Sequence, residues 1–73
     1  MATKAPYKCS VRILYRNWKG DVAVRRIMPI EIWFGSTEWH KQDQWLLAAT
    51  DLDKNERRDF ALQDIVEWLG TAL

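Results

Sequence analysis

Seventy-three residues make one domain with a small core, too short for most catalytic architectures that carry a separate substrate domain. Hydrophobic residues make up 48% of the chain and include five Trp, which excludes a disordered protein. The single cysteine, Cys9, excludes an internal disulfide and the Cys-dense build of small secreted domains.

No stretch has the pattern of a signal peptide or is apolar for the length of a bilayer, so a cytoplasmic protein with no membrane partner is expected. The net charge of +1 is split. Residues 1–34 hold seven basic and two acidic side chains, and residues 35–73 hold four basic and eight acidic ones. That asymmetry suits a basic face for an anionic partner, although two halves neutralising each other within one small barrel give the same composition.

In chain order, residues 1–7 are polar and contain Pro6, and read as a flexible tail; residues 8–73 read as a single domain. From Cys9 to Trp18 the chain alternates. Cys9, Val11, Ile13 and Tyr15 fall on one side and Ser10, Arg12 and Arg16 on the other, the pattern of a half-buried strand. Asn17-Trp18-Lys19-Gly20-Asp21 supplies the Gly and Asp of a hairpin turn.

Arg25 to Phe34 follows as the longest strand-like run, rich in β-branched and aromatic residues. Val22, Val24, Met28, Ile30, Ile32 and Phe34 share one parity and predict an apolar face, with Arg26 in line with them. A charge on such a face is either functional or an Arg whose stem packs while its head reaches water. Pro29 implies an edge or a bulge, and a bulge flips parity.

Gly35 to Asp43 reads as a loop that carries the only histidine, His40, between Trp39 and Lys41. Ser36, His40 and Asp43 are the residue types of a hydrolytic triad, but triads are assembled from separate elements, so their presence in one loop is weak evidence. A His with no Cys or His companions argues against zinc. Gln44 to Thr50 predicts a central strand, apolar on both faces between its ends.

Asp51, Asp53 and Asn55 mimic the start of a calcium loop. Glu56 stands at the Gly position and Leu62 at the closing acid, so calcium is not expected. Arg57 to Leu62 predicts a fourth strand, with Arg58 in line with Phe60 and Leu62. Asp64-Ile-Val-Glu67 has the form of a capping box opening a short helix over Ile65, Trp68 and Leu69, stopped by Gly70. The expected fold is all-β: a small SH3/Sm-like bent barrel of four to five antiparallel strands with one short C-terminal helix. Trp33 and Trp45 are expected in its core.

From Ile13 to Ile65 the chain resembles the WYL-domain family. The resemblance is carried by Tyr15 with Gly20, by Arg26-x-x-Pro29, by Trp45-Leu46-Leu47, and by Arg58-x-Phe60-x-Leu62-x-x-Ile65. It implies an SH3/Sm-like barrel of the kind that sits behind a helix-turn-helix in bacterial transcription regulators and senses nucleic acids or nucleotides through a basic groove. Leu46 stands where the signature has Tyr, and Ala61 and Asp64 stand where members often have Arg, so the groove is less basic here. With no helix-turn-helix pattern, the chain reads as a free-standing bacterial or phage module.

Two functional classes follow. The first is a non-catalytic sensor of single-stranded nucleic acid or a nucleotide. Arg26 and Arg58 would meet phosphates, Arg16, Arg57, His40 and Lys41 would line the site, and Tyr15 or Trp39 would stack a base. The second is a protein-interaction or homodimerisation module, supported by the Trp content. No cofactor is implied, and the chain lacks the nucleophile–base pair or metal set of an enzyme.

Overall fold

The first hairpin is built by Asn17. Its side-chain oxygen accepts hydrogen bonds from the backbone N–H of Lys19 and of Asp21, both 2.9 Å. Gly20 supplies the left-handed backbone, φ 91°, that the turn needs. The computed structural model describes residues 9–71, and the tail expected over residues 1–7 lies outside them. The strands are β1 (Val11–Arg16), β2 (Val22–Gly35), β3 (Gln44–Asp51), β4 (Glu56–Ala61) and β5 (Ile65–Thr71). They form one antiparallel sheet in the order β4-β3-β2-β1-β5. The chain is therefore all-β among the described residues, apart from a 3-10 turn over Leu62–Asp64.

The expected C-terminal helix is not formed. The segment after the 3-10 turn is β5, paired with β1, and no side chain caps the turn. The free edge of β1 offers a row of backbone donors and acceptors to a β-branched and aromatic run, Ile65-Val66-Glu67-Trp68-Leu69. One or two helical turns cannot compete with that ladder. The register with β1 shifts twice along β5, and Gly70 takes a left-handed φ of 95° beside the second shift. Trp68, carried on this strand, is half-exposed.

The bulge anticipated at Pro29 is present and decides which side chains face inward. Pro29 pairs with Ala49 and Glu31 with Ala48, leaving Ile30 as an extra residue on β2. Cross-strand partners share a face. Before the bulge the core side of β2 is therefore odd-numbered: Arg25 lies opposite Ile13, and Ile27 opposite Val11. After it the core side is even-numbered, with Ile32 opposite Leu47 and Phe34 opposite Trp45. Val22 and Val24, expected on the buried face, are exposed.

The core is Val11, Ile13, Tyr15, Ile27, Leu47, Ala49 and Phe60, with Leu62 and Ile65 packed against it. Tyr15 and Phe60 meet edge to face, ring centroids 4.9 Å apart. Their strands are three intervals apart in the sheet, about 14 Å if it were flat, so the sheet must curl strongly to bring them together. Leu46, Leu47, Ala48 and Ala49 are buried, as expected of a central strand. Trp33 is only half-buried, and Trp45 is more than half exposed at the far end of β2 and β3. This corrects the expectation that both fill the core, which is built from other side chains instead.

Candidate ligand site

The curl leaves an open depression of about 1020 Å³ beside Tyr15 and Phe60. Three elements besides the floor shape it: the β1–β2 turn through Asn17 and Trp18, the 36–43 loop through Thr37–Lys41, and the outer strand β4 through Glu56–Asp59.

The loop is held in a defined shape. Thr37 Oγ1 accepts the N–H groups of Trp39 (3.1 Å) and His40 (2.9 Å), and Thr37 N–H donates to the His40 carbonyl, 2.8 Å. His40 Nε2 lies 3.1 Å from the carbonyl oxygen of Asp59. A carbonyl can only accept, so Nε2 carries the proton in this contact. The histidine thus ties the loop to β4. It is oriented by backbone, which is not the arrangement of a hydrolytic triad.

Arg58 enters from the inner face of β4, opposite Ala49. Its guanidinium lies 5.9 Å over the Phe60 ring and 3.8 Å from Asp51 Oδ2. Asp51 is fully buried. Its Oδ1 accepts the N–H of Asp53 (3.0 Å) and Lys54 (3.3 Å), shaping the β3–β4 turn, while Oδ2 has no hydrogen-bond partner among the described residues. A buried carboxylate needs a counter-charge, and Arg58 is the cation nearest to it in an ion pair. Arg25 Nε is likewise buried and finds no hydrogen-bond partner among the described residues.

Tyr15 closes the floor. Its hydroxyl accepts the backbone N–H of Ala61, 3.1 Å. Burial pushes the phenol above its ordinary value, with Asp64 adding to the rise; the Ala61 hydrogen bond and the charges of Arg58 and Arg25 act the other way.

Of the residues expected to bind ligand, Tyr15, Trp39, His40, Lys41, Arg57 and Arg58 come together around this depression. Arg26 and Arg16 do not line it. Arg26 points from the opposite face of β2 and pairs with Asp53, 3.1 Å, with both groups exposed; Arg16 is an exposed residue opposite Val22. The expected convergence of Arg26 with Arg58 is therefore replaced by that of Arg25 with Arg58. The sequence signal for Arg25 is Pro29: counting parity back from the bulge puts the odd residues inside. Trp18 also lines the depression and was legible only as a turn residue.

Among the described residues no three His, Cys, Asp or Glu side chains come together as a metal-ligand set, and no helix is long and apolar enough to cross a membrane. No protein-family model, curated protein or solved structure matches the chain.

Proposed function

We propose that the chain is a WYL-like, non-catalytic sensor module that binds single-stranded nucleic acid or a nucleotide, its curled sheet being an incompletely closed SH3/Sm-like barrel. The observation that carries this reading is the gathering of Arg25 from β2, Lys41 from the loop, and Arg57 and Arg58 from β4 around one depression floored by Tyr15 and Phe60. Cations from separate elements suit phosphate oxygens, and ring surfaces suit bases. The strand order, with β4 and β5 at the two ends of the curled sheet, and Tyr15, Trp45 and Leu47, and Arg58-x-Phe60 in their motif positions support the family reading.

Titration of the Trp fluorescence with a single-stranded DNA pentamer at low salt tests it. Binding should weaken with salt at a slope of roughly −0.7 for each phosphate neutralised. Arg25→Gln should lower the affinity, while Arg26→Gln should leave it unchanged. No binding of the pentamer or of a mononucleotide at low salt would sink the reading.

A second reading rests on a different surface. Ile32, Phe34 and Trp45 are all more than half exposed on one face of β2 and β3, and Phe34 and Trp45 stack edge to face at 5.3 Å. The row carries no charge, so two copies meeting about a two-fold axis would place apolar on apolar without repulsion. Homodimerisation through it predicts a concentration-dependent sedimentation coefficient that Trp45→Glu abolishes.

A further inference from the structure

Trp18 and Trp39 are the two most exposed large apolar side chains of the described residues, at 90% and 82%. Both line the same depression from different elements. Neither contributes to the core, yet each is carried on a backbone fixed by side-chain hydrogen bonds. The Asn17 turn holds Trp18, with Gly20 N–H also donating to the Asn17 carbonyl at 2.9 Å. The Thr37 turn holds Trp39. An indole displayed to water on a rigid turn is unfavourable for the fold alone and pre-organised for a planar ligand.

The charge balance of the depression points the same way. Arg25, Lys41, Arg57 and Arg58 are set against Glu38, Glu56 and Asp59. Four cations against three carboxylates leave a net of only one positive charge, too little for phosphate attraction alone to hold a ligand.

We infer that Trp18 and Trp39 form a paired stacking platform that recognises the nucleobase, with Arg25 as a phosphate-binding residue beside Arg58. This rests on the nucleic-acid or nucleotide reading proposed above and specifies how that ligand is held: the base carries most of the affinity and the phosphate sets its orientation. The shared chemistry of the ligand is a base joined to a phosphate, whether as a free nucleotide or within a strand.

The test compares three probes on the full chain by calorimetry at fixed salt: a DNA pentamer, an abasic deoxyribose-phosphate pentamer of equal charge, and adenosine monophosphate. The abasic strand should bind at least tenfold more weakly than the normal one, and Trp18→Ala and Trp39→Ala should each weaken the normal strand tenfold without changing the circular dichroism spectrum. If adenosine monophosphate matches the pentamer and shows the same dependence on both Trp residues, the platform serves a free nucleotide; if the pentamer binds more tightly, it serves a strand. Equal binding of the normal and abasic strands, unchanged by either substitution, overturns the platform and leaves a purely electrostatic groove. Failure of every probe to bind overturns both the platform and the nucleic-acid reading beneath it.

Discussion

The Tyr15 hydroxyl accepts the backbone N–H of Ala61 at 3.1 Å, so a side chain of β1 satisfies a main-chain donor of β4 across the curl of the sheet. Tyr15→Phe keeps the ring contact with Phe60 and leaves that buried donor unpaired. A destabilisation of about 1–3 kcal/mol is expected, read as a lower urea midpoint with an unchanged slope. A midpoint equal to that of the parent would mean that ring packing alone maintains the curl.

The same residue predicts the behaviour of the protein in alkali. The folded Tyr15 phenol titrates above its ordinary value of 10.0, chiefly through burial. Its contribution to stability is complete below pH 10 and is lost as pH rises through the folded value, because the unfolded chain gives up the proton first. Stability measured from pH 9 upward should decline more steeply for the parent than for Tyr15→Phe. Parallel curves would contradict the assignment.

Asp51 combines a turn-building oxygen with a buried charge. Asp51→Asn keeps an acceptor for the N–H groups of Asp53 and Lys54, and Asp51→Ala removes it. The Ala variant should be the less stable of the two, by about 1–3 kcal/mol, in thermal or urea melts. If Asn proved as damaging as Ala, the Arg58 charge pairing would be the larger part of the role of Asp51.

Gly35 makes room for Trp33. A Cβ at position 35 would lie 2.5 Å from the Trp33 ring, and the same indole donates to Asp59 Oδ1 at 3.0 Å. Gly35→Ala must therefore displace the ring and disturb that hydrogen bond, at a cost of about 1–3 kcal/mol. The loss should be largely absent when Trp33 is already Leu, a comparison that a double-mutant cycle makes directly.

Strands and turns were legible because their signals are local. The alternation of β1, the Asn17–Asp21 turn and the apolar run of β3 each needed only neighbouring residues. The final segment was not, since Asp64-x-x-Glu67 favours a helix locally and only the free edge of β1, some fifty residues earlier in the chain, decides for a strand. Six of the eight expected ligand residues meet around the depression, five of them because they follow one another in the 36–43 loop or near the start of β4. Arg26 was misplaced by one position because parity had been carried through Pro29 unbroken. Trp45 was misjudged by composition: a large aromatic is usually buried, but here its row lies beyond the end of the core.

That interruption at Ile30 has a consequence for how this chain could change over time. Substitutions alter what a given side of β2 displays, one residue at a time. Loss of the one extra residue at Ile30 would instead leave every face unchanged, because Pro29 already lies opposite Ala49 and Glu31 opposite Ala48, and the two pairs would become consecutive rungs of a regular ladder. Trp33 would stay opposite Leu46 and Arg25 opposite Ile13. A deletion well away from the bulge would instead break the match between parity and partner and turn one part of the strand over. Ile30 is thus a position where β2 can lose a residue and keep both of its surfaces.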